Sequence, residues 1–112
     1  MRETFHLVPV AVWETADRDL PYEAASLASE GFIHCTDGVD ALGVTFDRYY
    51  AGDDRPFLAL TLDLDELDAP WRYDVVDSPY PHIYGPIQRS AIVAVSSVER
   101  GPDGRFAGLT PA

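Results

Sequence analysis

The chain has 112 residues, 46% hydrophobic and 24% charged, which suits one globular domain with its own core and excludes wholesale disorder. Nineteen acidic residues oppose eight arginines, a formal charge of −11, so non-specific binding to nucleic-acid backbones is disfavoured. Lysine is absent, which excludes a Schiff-base or P-loop lysine, and the single Cys35 cannot form an internal disulfide.

No apolar run approaches the roughly 18 residues of a membrane-spanning helix, and the first ten residues do not read as a signal peptide. A cytoplasmic, non-membrane domain over residues 1–112 is the expectation.

Alternation predicts a first strand over 4–10, with Phe5 and Leu7 on one side and His6 and Val8 on the other. Residues 13–21 form a connection carrying Trp13. Asp19 is placed to cap a helix with Pro21 and Glu23 in its first turn, and Gly31 stops that helix. A short strand follows at 32–35. Thr36 or Asp37 starts a second helix, whose apolar stripe runs Val39, Leu42, Gly43, Phe46, Tyr49.

The period then changes to two. Strands are expected over 56–63, 71–76 and 87–98, with a turn or one helical turn at 64–69. Three prolines and Gly85 make 77–86 a stiff loop. Residues 101–104 (GPDG) read as a turn, and 105–109 as a short edge strand. Helices early and strands late predict an α+β fold, with two helices on a split, largely antiparallel sheet.

Two segments can carry chemistry. In GFIHCT (31–36), a strand places Phe32, His34 and Thr36 on one face and Ile33 and Cys35 on the other. A Cys35–His34 dyad is therefore disfavoured, and Cys35 reads as a small core residue. Thr36 can cap a helix whose N-terminus suits an anion. In SPYPHIYGPI (78–87), prolines pre-set a loop that presents Tyr80, His82 and Tyr84, as a small-molecule pocket needs.

Arg89 is a candidate phosphate or carboxylate partner, with a structural salt bridge as its alternative. His6, His34 and His82 with Asp74 could gather around a metal, although no i, i+4 histidine pair supports it. A purely structural role for the histidines stays open.

The runs FHLVPVAVWE, YEAASLASEGFIHCT, FLALTLDLDEL and YPHIYGPI resemble the family catalogued as domain of unknown function 952, over about residues 4–98. That family is similar in fold to the ADP-ribosyltransferase superfamily, which binds NAD between two small antiparallel sheets. The resemblance implies that His34 and Thr36 hold the nicotinamide-side ribose and amide. It implies that His82 and Tyr84 line the opposite wall, and that Trp13 and Tyr22 cover the ligand. Where family members often carry Glu after an aromatic, this chain has Tyr73–Asp74, a shorter acid.

The implied activity is ADP-ribosyl or phosphate transfer to a small molecule from an NAD-like nucleotide. His34, His82 and Asp74 would be catalytic, and Thr36, Tyr84, Trp13, Tyr22 and Arg89 would bind the cofactor. A non-enzymatic nucleotide-sensing module and a histidine-liganded metal hydrolase are the alternatives.

Overall fold

A computed structural model describes all of residues 1–112. Seven strands form two antiparallel sheets, with three helices. The α+β class with mostly antiparallel strands is as expected; the third helix is not.

The larger sheet has the order β1-β3-β6-β7, built from β1 (Glu3–Pro9), β3 (Phe57–Asp63), β6 (Ile92–Arg100) and β7 (Phe106–Pro111). The smaller sheet has the order β2-β5-β4, built from β2 (Ile33–His34), β5 (Pro81–Ile83) and β4 (Trp71–Tyr73). All seven residues of β3 are buried, as its near-continuous apolar run requires of a strand covered on both faces. Register puts Val8 opposite Leu58 and His6 opposite Leu60. That face packs with Ile33 and Ile83 of the smaller sheet, and with Cys35 just beyond β2, into one core. On the other face Phe57 meets Phe46 of α3 (Val39–Tyr49) edge-on, with centroids 5.5 Å apart.

The two sheets are stitched at one point. Phe5 N–H donates to the Thr36 carbonyl (2.9 Å), and Thr36 N–H donates to the Phe5 carbonyl (2.8 Å). Since alternate residues of a strand direct their backbone groups the same way, Leu7 turns its N–H and C=O to this same side, away from β3.

Several boundaries differ from expectation, each for a physical reason. Residues 10–15 form a helix, α1 (Val10–Thr15), started at Pro9 where the strand loses its donor. α2 (Ala25–Glu30) begins six residues beyond Asp19, because Tyr22 exchanges two backbone bonds with Ile87 (2.8 and 2.9 Å). Gly31 does end α2, in the left-handed region at φ 89°.

α3 is capped at Gly38, not Thr36 or Asp37. The Thr36 backbone is taken by Phe5, and the Asp37 carboxylate accepts from Tyr73 Oη at 2.5 Å. β4 stops at Tyr73, leaving Asp74 and the exposed valines 75 and 76 outside it. The proline segment contains β5, with Pro81 at its first position, where a strand tolerates the missing donor. A 3-10 turn over Arg89–Ala91 takes the start expected for β6, and β7 starts one residue later and ends two residues later than the short edge strand expected.

Gly104 turns β6 into β7 at φ 83°, and a Cβ there would lie 2.7 Å from the Ala51 carbonyl oxygen. Gly104→Ala should therefore cost about 2 kcal/mol through strain and crowding together, read as a lowered urea midpoint. A midpoint within error of the wild type would refute the clash.

Candidate functional site

Pairing across the smaller sheet sets the site. His34 of β2 faces His82 of β5, and Arg72 of β4 faces His82 on the other side. The pleat puts Phe32, His34, His82, Tyr84, Arg72 and Asp74 on one face, while Ile33 and Ile83 enter the core. The His34 and His82 rings lie 5.6 Å apart, centroid to centroid. Phe32 stacks on His82 at 4.0 Å and meets His34 edge-on at 4.8 Å.

Each imidazole rests on a carboxylate. His82 Nδ1 is 2.7 Å from Asp74 Oδ2, and His34 Nε2 is 3.0 Å from Glu30 Oε2. A carboxylate only accepts, so each of these nitrogens carries the proton. His82 thus keeps Nε2, and His34 keeps Nδ1, without a hydrogen bond to the protein. Asp74 also accepts from Tyr84 Oη and from Arg72 Nε (2.6 Å). The bonds from Tyr84, Arg72 and His82 hold its carboxyl well below the usual range. Arg72 in turn lies over the Tyr84 ring at 4.2 Å.

Beneath His34 is His6. Its Nδ1 is 2.7 Å from the His34 carbonyl oxygen, so Nδ1–H donates. Its Nε2 then accepts from Tyr22 Oη at 2.9 Å. Burial lowers the His6 pKa to about 4. Both ring nitrogens are engaged, so His6 does not join His34 and His82 as a metal ligand. No group of three His, Cys, Asp or Glu side chains is arranged to hold a metal ion. Cys35 is buried, and burial pushes its thiol well above the usual range, against a nucleophilic role.

A cleft of about 730 Å³ opens beside the free edge of β1, between α2 and α3. Its lining includes His34, His82, Thr36, Tyr22, Glu30, Tyr80 and Arg48. Of the predicted residues, His34, His82, Thr36 and Tyr22 reach it. Asp74 and Tyr84 stand behind His82, outside the cleft. Tyr22 is buried, with its hydroxyl committed to His6, so it forms wall and not a movable cover.

Trp13 and Arg89 lie elsewhere. Trp13 packs on Tyr22 (5.6 Å), and the Arg89 guanidinium covers Trp13 at 4.8 Å. Arg89 also donates to the Leu20 and Asp17 carbonyls, both at 2.9 Å. It pins the 17–20 segment, where the sequence suggested a ligand contact or an ion pair.

Sequence reading missed Glu30, Arg48 and Arg72, while Phe32 does share the face of His34 as alternation predicts. Glu30 stands four residues before His34 across the Gly31 turn, a spacing that could have flagged it. Arg72 becomes visible only when β5 is recognised inside the proline segment.

Among curated proteins none matches the chain. The crystal structure of protein CC0527 from Caulobacter crescentus is similar at TM-score 0.74 and 19% identity, over 94% of this chain and 93% of that one. Its double mutant gives the same values. The solution structure of CC0527 gives TM-score 0.71 and 21% identity, over 94% and 91%. These likenesses are of fold. The pattern of the family described as "Protein of unknown function (DUF952)" matches residues 7–95, and the chain belongs to that family.

Proposed function

We propose that the cleft binds an NAD-like nucleotide and that His34 and His82 move protons during transfer of its ADP-ribosyl or phosphoryl group to a small molecule. One observation carries this reading: two imidazoles from paired strands, 5.6 Å apart, each backed by a carboxylate, at the wall of a 730 Å³ cleft. The volume falls in the range of small-molecule and cofactor sites. The choice of NAD comes from the similarity in fold that the resemblance implies between this family and the ADP-ribosyltransferase superfamily.

With Nδ1–H held by Asp74, His82 Nε2 is set to accept a proton from an attacking hydroxyl. Glu30 is the one carboxylate in the lining, and it can stabilise positive charge developing on a ribose as its leaving group departs. No covalent nucleophile is required. The Thr36 backbone is committed to Phe5, so only its side chain remains to meet a ligand.

A sensing module is the second reading. It is favoured by the fact that Glu30 and Asp74 are both already engaged with histidines. Calorimetric titration with NAD, ADP-ribose and nicotinamide, beside His34→Ala and His82→Ala, tests the site. Binding by the wild type and its loss in both folded variants is expected. Binding that survives both substitutions would put the ligand elsewhere. Release of nicotinamide with turnover then separates enzyme from sensor.

A further inference from the structure

The chain carries 19 acidic residues against eight arginines, yet the cleft reverses that ratio: Arg48 and Arg55 line it against Glu30 alone. Arg55 is neutralised by Asp53, with Nη2 2.7 Å from Oδ2. Arg48 has no ion pair, hydrogen bond or ring contact. Five of the other arginines are held by carboxylates or carbonyls, and Arg2 sits over Trp71 and Tyr73. Arg18 is the remaining unpaired one, and it is not in the cleft.

Arg48 stands in the last turn of α3, where a cation suits the helix dipole. The dipole does not account for the near-absence of acid from the cleft in so acidic a chain. One turn earlier, Thr45 lines the same cleft with a buried hydroxyl that makes no hydrogen bond.

We infer that Arg48 anchors an oxyanion of the ligand, a phosphate or a carboxylate. The ligand's reacting end would then lie toward His34 and His82. This rests on the cleft proposed above as the ligand site. A guanidinium offers two parallel donors to such a group, and the acidic surroundings disfavour anions at other points of the surface.

The test is calorimetric titration with inorganic pyrophosphate and, separately, with succinate, at low and at physiological salt. The proteins are wild type, Arg48→Gln, Arg48→Lys and Arg18→Gln. At least one probe should bind the wild type, and whichever binds identifies phosphate or carboxylate. Arg48→Gln should weaken it at least tenfold, Arg48→Lys should retain part of the affinity, and Arg18→Gln should match the wild type. Absence of binding by both probes overturns the inference. So does equal affinity in Arg48→Gln, or an equal loss in Arg18→Gln.

Adding NAD and ADP-ribose separates this from the nucleotide reading. If the oxyanion binds through Arg48 and neither nucleotide does, the nucleotide reading fails and the anchor stands. If the nucleotides bind through His34 and His82 and ignore Arg48→Gln, the anchor fails alone.

Discussion

Asp74→Asn should slow the proposed transfer by about a hundredfold to ten-thousandfold while the chain stays folded. The carboxylate faces three donors at once: His82 Nδ1–H, Tyr84 Oη and Arg72 Nε. An asparagine has one carbonyl oxygen to offer. If it faces His82, the amide NH₂ confronts the Arg72 guanidinium. If it faces Arg72, the NH₂ donates to Nδ1 and moves the ring proton to Nε2, so the nitrogen aimed away from Asp74 can no longer act as a base.

Asp74 lies outside the cleft, so it acts as a positioning residue. The distinguishing readout is the tautomer, taken from the nitrogen chemical shifts of His82. A variant that keeps Nδ1–H and still loses turnover would sink this account. So would one with a switched tautomer and wild-type rate.

The second large effect is on stability against pH. His6 is buried, and its pKa falls from 6.5 to about 4. Above 6.5 the ring is neutral in both folded and unfolded chains, so it takes no part in pH dependence there. Between 6.5 and 4 the unfolded chain binds the proton and the folded chain does not, so acidification favours unfolding. The loss should reach about 3 kcal/mol by pH 4. Asp53 and Asp74 do not mask it. Their carboxyls are held below 3.8, and the stability they contribute is lost only as pH falls beneath that value. Urea midpoints from pH 7.5 to 4, beside His6→Gln, give the measurement. The wild type should lose stability steeply over that window and the variant much less; parallel curves would show that His6 is not the group responsible.

The parts of the fold legible in the sequence are those fixed by local period and punctuation. The apolar run 57–63, the stripe on α3, the Gly31 stop and the GPDG turn all follow from neighbours in the chain. The misplaced helix starts share one cause, which is capture by a distant partner. Tyr22 is held by Ile87, Thr36 by Phe5 and Asp37 by Tyr73. Each contact removes a residue from the helix end that local rules assign to it.

The site divided in the same way. His34 and His82 stood out because they sit in unusual segments. Their separation depends on the β2–β5 pairing, and the Asp74 carboxylate behind His82 on the β4–β5 pairing, both of which the three prolines conceal. Trp13 and Arg89 suit a ligand pocket by chemical type alone, and tertiary packing uses them to hold the 17–20 segment and Tyr22.

β2 and β5 carry two texts in alternate letters. Ile33 and Ile83 are written into the core, and His34 and His82 into the outward face. Substitution in one text need not disturb the other. A lineage can therefore rewrite its chemistry at the outward positions while the inward ones preserve the architecture.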